Sequence, residues 1–161
     1  MLLRGLRLWL RLPRLQRRVL VRAAVWLALT DIGLRVLGFR RLIELVPAVS
    51  ADSSPPDTGH IGMYVAAIEI AAKHHVVPAR CLHKSVVLQF WLRREGIPSQ
   101  VCIGVRKDDQ QLKAHAWVEV DGRVVNDDPR AIAAFQRLAA RHLTNVTWTD
   151  SIVPVPVPMK A

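Results

Sequence analysis

The sequence predicts an α+β domain in which a helical first half packs on an antiparallel sheet. Up to Gly96, apolar residues recur at helical spacing. From Gln100 the period switches to two, and the alternating runs are separated by polar turns. Helical and strand-like stretches come in blocks rather than in alternation, which favours an antiparallel meander over a parallel sheet. At 161 residues and 51% hydrophobic content, the chain is long enough for one cored domain with a helical extension.

Residues 1–46 read as a basic amphipathic helical extension. Arg4, Arg7, Arg11, Arg14, Arg18 and Arg22 recur every three or four residues on one face, and Leu3, Leu6, Leu10, Val21 and Val25 help form the rest. Pro13 ends or kinks a first short helix, and a second runs from Pro13 to Leu37 with Gly38 as its cap. The segment 39–46 adds a further turn. Residues 47–60, rich in Pro, Ser and Asp, form a linker.

The core is expected over 61–150. It opens with a helix over 61–74 whose apolar face carries Met63, Ala66, Ala67 and Ile70. A second helix spans 81–95 and stops at Gly96. Strands follow at 100–106, 113–120 and 123–127, with a polar turn at 107–111 and an Asp121-Gly122 turn. A short helix near 131–141 and a strand near 145–149 complete it. Residues 151–161 alternate with proline and make an extended tail.

Net charge is +10, from 23 Lys and Arg against 13 Asp and Glu. Such a surface suits an acidic peptide, an acidic subunit or an anionic membrane. No nucleic-acid-binding module is recognisable. The longest uncharged stretch near the N-terminus, 23–30, is too short for a signal sequence or a membrane span, so a cytoplasmic protein is expected. The arginine-rich face remains compatible with contact at a membrane surface. Cys81 and Cys102 form no zinc pattern and are expected to stay reduced. His74, His75 and His83 form no convincing metal set.

Thiol chemistry is the reading that remains. A nucleophilic cysteine needs a stabilised thiolate, a base within hydrogen-bond reach and a group that orients the base. Cys81 falls in the first turn of a helix, where backbone N–H groups and the helix dipole lower a thiol pKa. His115 lies on a strand whose other face (Ala114, Ala116, Val118, Val120) is wholly apolar. It shares its own face with Trp117, a candidate for lining a substrate groove, and with Glu119. Cys102 alternates into an apolar strand and reads as a buried hydrophobe.

Two aspartates compete to orient His115. A two-residue turn at Asp121-Gly122 places His115 opposite Asp128. A three-residue loop with Gly122 in a bulge places Glu119 opposite Arg123 and His115 opposite Asp127. The second register makes one charge pair and two apolar pairs, so cross-strand pairing favours Asp127.

Five runs of residues carry a family resemblance: RCLHKS at 80–85, LRREGI at 92–97, CIGVR at 102–106, AHAWVE at 114–119 and VVND at 124–127. Together they resemble the leader peptidases of lasso peptide biosynthesis, in their standalone form. The resemblance is strong over about 61–130 and looser over the N-terminal helices; Lys84 and Glu95 depart from its pattern. It implies a transglutaminase-like (papain-like) cysteine peptidase core with a triad of Cys81, His115 and Asp127, and neither metal nor cofactor. It also implies three partners: a precursor peptide with its leader, a separate leader-recognition protein and an asparagine-synthetase-like cyclase.

Overall fold

The computed structural model describes residues 13–49, 58–74, 79–108 and 111–138. Residues 1–12, the strand expected near 145–149 and the tail lie outside the described residues. The elements run α1 (Arg14–Val36), α2 (Gly38–Glu44), a 3-10 turn (Thr58–His60), α3 (Ile61–His74), α4 (Cys81–Arg94), β1 (Gln100–Asp108), β2 (Gln111–Val120), β3 (Arg123–Val124), α5 (Pro129–Ile132) and β4 (Gln136–Arg137). The arrangement is α+β, as the periodicities predict. The strands form one antiparallel sheet in the order β3-β2-β1-β4.

The main core lies between the helices and one face of the sheet. Val19, Ala23 and Leu27 of α1 enter it together with Tyr64 and Ile68 of α3 and Val87, Leu88 and Leu92 of α4. Val101, Ile103, Ala116 and Val118 close it from the sheet. The alternation of β2 is therefore realised as expected: Ala116, Val118 and Val120 are buried against the helices. A smaller cluster of Cys102, Trp117 and Ile132 covers the opposite face, with Val124 and Phe135 against it.

Several local expectations are corrected. The buried face of α3 is Ile61, Tyr64, Ala67, Ile68 and Ala71, whereas Ala66 and Ile70 are exposed. That helix is apolar nearly all round, so its periodicity alone does not orient it; packing against α1 and α4 does. The turn after β2 is a two-residue one, with Glu119 opposite Val124 and Val120 opposite Arg123. Asp121 and Gly122 both adopt positive φ, 48° and 73°, the twist that suits a two-residue hairpin. Glu119 does not need Arg123, because it accepts from the Trp117 indole at 2.8 Å and pairs with Arg137. The strand expected over 123–127 is only two residues long. The helix expected over 131–141 is one turn, opened by Asp128, whose Oδ1 accepts from Arg130 N–H at 2.9 Å. The chain then returns to pair with the outer edge of β1.

Candidate active site

The brevity of β3 shapes this region. Along β2, the even-numbered residues point their backbone groups toward β3. Val118 carbonyl accepts from Val125 N–H at 3.0 Å, the last backbone bond on that side. Its N–H would ordinarily meet the same strand, but the Asn126 side chain takes it instead, Oδ1 accepting at 2.7 Å. The backbone then bends away through 125–127.

Beyond that point helix α4 occupies the position of the missing strand. Ser85 Oγ donates to Ala116 carbonyl at 3.1 Å, and Ala116 N–H donates to the Cys81 sulfur. Asn126 Nδ2 donates to Ser85 Oγ at 3.4 Å. Ser85 is fully buried, one helical turn after Cys81. One node thus joins the helix bearing Cys81, the strand bearing His115 and the bend bearing Asp127.

The three residues predicted as a triad meet across this junction. His115 Nε2 lies 2.6 Å from Asp127 Oδ2, which leaves Nδ1 for the Cys81 thiol. Asp127 Oδ1 accepts from Asp128 N–H at 2.8 Å, so both carboxylate oxygens are held. The pairing of His115 with Asp127 arises from the bend and not from ladder register, since the two-residue turn alone would set Asp128 opposite. Asp128 is instead the cap of α5.

The protonation energetics suit an ion pair. Burial pushes the Cys81 thiol up, but hydrogen bonds from His115 and from Ala116 N–H, the charge on His115 and the Leu82 N–H outweigh it and bring the pKa below the ordinary thiol value. His115 is raised to about 9, first by its hydrogen bond to Cys81; burial opposes this, and Asp127 adds to it. Shifts in opposite directions mark a thiolate–imidazolium pair whose titration belongs to both groups. The His115 and Asp127 side chains keep 27% and 31% exposure, so the pair opens to solvent.

Trp117, expected on the wall of a groove, is 2% exposed and lies in the smaller core cluster. It stacks behind His115 at 6.5 Å between ring centroids, and Phe135 approaches the same ring at 5.4 Å. Its influence on a bound molecule therefore passes through His115. Gly104, the β1 partner of His115, makes room for it: a Cβ there would sit 2.8 Å from the Trp117 ring and 3.0 Å from Phe135 Cβ. Cys102 is 3% exposed, and burial raises its thiol pKa. Both cysteines are free thiols. His83 points away from the thiol chemistry and bonds Asp31 of α1 at 3.2 Å. Among the described residues, no group of three His, Cys, Asp or Glu could hold a metal ion.

Sequence reasoning missed Ser85, Asn126 and Gly104. The signal for Ser85 was its four-residue spacing from Cys81, which places both on one helix face. Asn126 was visible only as the neighbour of Asp127.

One family model matches the chain, that of the transglutaminase-like superfamily, over residues 24–140. No curated protein and no solved structure gives a significant match.

Proposed function

The chain belongs to the transglutaminase-like superfamily, and on that premise we propose that it is a cysteine peptidase with Cys81 as nucleophile, His115 as general base and acid, and Asp127 as the residue that orients His115. The single observation that carries this reading is the meeting of the three at a helix start, with the thiol lowered and the imidazole raised. The Cys81 thiolate attacks the scissile carbonyl. The oxyanion that forms is stabilised by backbone N–H groups of the first turn of α4. His115 gives its proton to the departing amine as the C–N bond breaks, leaving an acyl group on sulfur. Neutral His115 then takes a proton from water, which attacks the thioester and frees the acid and the thiol. Asp127 holds the ring with one nitrogen toward the sulfur throughout.

The substrate we propose is the leader-bearing precursor of a lasso peptide. Support comes from the five motif runs at 80–85, 92–97, 102–106, 114–119 and 124–127. In this reading a separate protein binds the leader, and the freed core amine passes to an ATP-using, asparagine-synthetase-like cyclase. The test is to incubate precursor, leader-binding protein and enzyme, then weigh the products. Separate leader and core masses, lost in Cys81→Ala, are expected. A crosslinked mass would mark acyl transfer to an amine instead. Unimpaired cleavage by Cys81→Ala would reduce the chain to a precursor-presenting subunit.

A further inference from the structure

The outer side of α1 is unlike the rest of the surface. Val21, Val25, Leu29, Ile32 and Val36 follow one another at steps of four, four, three and four, and each is 50 to 73% exposed. That spacing keeps them in one row, about 22 Å long at 1.5 Å per residue. The opposite side of the helix is the one that enters the core, through Val19, Ala23, Leu27 and Thr30. The exposed row is therefore an additional apolar face and not a misplaced core face. Leu37 and Leu45, at 39% and 64% exposure, extend it past the helix end.

Charge accompanies the row. Arg14 and Arg18 continue its line toward the helix N-terminus, and both are exposed. Residues 14–45 hold seven arginines against two acids. Both acids are engaged, Asp31 with Arg35 and His83, Glu44 with Arg40. The preceding twelve residues continue the same chemistry in sequence, with Arg4, Arg7, Arg11, Trp9 and six leucines and no acid. Aliphatic side chains beside a surplus of guanidinium groups are complementary to a surface that is apolar within and anionic at its edge.

We propose that this face of α1 docks on an anionic lipid surface, lying in the interface with its aliphatic row inserted and Arg14 and Arg18 among the headgroup phosphates. Among the described residues, no helix is long and apolar enough to cross a membrane, so the contact is interfacial. A protein partner fits less well. Protein interfaces centre on aromatic, Met and Arg anchors set in pockets; of these the face offers only its arginines, and its apolar row is Val, Leu and Ile on a single convex helix. The inward side of the same helix packs on α4 and holds its His83 through Asp31, so the docked helix would also support the helix that bears Cys81. The proposal concerns binding alone and does not depend on any reaction at Cys81.

The test is sedimentation of the full chain with vesicles of phosphatidylcholine alone and of equimolar phosphatidylcholine and phosphatidylglycerol. Binding to the anionic vesicles only is expected, weakening as salt rises. Replacing Arg14 and Arg18 by Gln should weaken it about five-fold per arginine. The triple variant Val25→Gln, Leu29→Gln, Ile32→Gln should weaken it at least about ten-fold. Its melting temperature should stay close to that of the parent, because the row is exposed and Gln is a good helix former. Equal binding to neutral vesicles, or undiminished binding by the triple variant, would overturn the proposal. So would absence of vesicle binding together with self-association, or capture of an acidic protein, that the triple variant abolishes; either assigns the row to a protein interface.

Discussion

Asn126 stands in for a strand that is not there, and its removal is the sharpest perturbation of this site. Its Oδ1 is the acceptor for the N–H of Val118, a residue with 0% exposure. Its Nδ2 donates to Ser85 Oγ, which is also sealed from solvent. Asn126→Ala strands the Val118 N–H without a partner. Leaving a buried donor unsatisfied costs about 1 to 3 kcal/mol. For a domain of this size that corresponds to a fall in melting temperature of about 2 to 12 °C. The second consequence is chemical. The bend at 125–127 loses its tie to β2 and α4, so Asp127 no longer holds the His115 ring and the thiolate loses its organised partner. Alkylation of Cys81, followed by peptide-resolved mass spectrometry to separate it from buried Cys102, should slow at neutral pH. Asn126→Asp keeps an acceptor for Val118 N–H but loses the donor to Ser85 Oγ, so it should recover only part of the lost stability. If Asn126→Ala melts within about a degree of the wild type and Cys81 reacts at its original rate, the node does not hold the site together.

Three further outcomes follow from the same geometry. Because the Cys81 thiol titrates below its ordinary value, alkylation should rise with pH earlier than for a free thiol, and His115→Ala should move that rise to higher pH. Amide cleavage needs the imidazolium as acid, so it should fall as pH passes about 9, where His115 gives up its proton; an activity that keeps climbing above that pH would contradict the pair. Gly104→Ala drives a methyl into the Trp117 ring at 2.8 Å and should destabilise the fold by about 1 to 3 kcal/mol, read by thermal melting and by a change in the near-UV signal of the tryptophans.

The site was partly legible in the sequence alone. Cys81 announced itself by falling where an extended segment turns into a helix, and His115 by lying on the polar face of a strand whose other face is all Ala and Val over 114–120. Both properties are local, so periodicity exposes them. Asp127 was selected on a register that the structure does not have: the hairpin closes through Asp121 and Gly122 alone, and Asp127 reaches His115 because the backbone leaves the sheet. Trp117 shared a face with His115 as expected, but that face is covered by Phe135 and Ile132, which lie later in the chain.

Legible in the sequence were the division into helices and an antiparallel meander, the helix start at Cys81, the presence of a turn around Asp121-Gly122 though not its length, and the two faces of β2. Each follows from neighbours within a few residues: the period of apolar side chains, a residue able to hold positive φ, a prolyl ring. Only the tertiary structure decided where β3 stops, and with it which backbone groups of Ala116 and Val118 would need other partners. Those groups are met by Ser85, Cys81 and Asn126, drawn from separate parts of the chain. Every buried N–H and C=O seeks a partner, but the peptide group is the same at every residue. Its need leaves no mark in the sequence until folding places a hydroxyl, a thiol or an amide beside it.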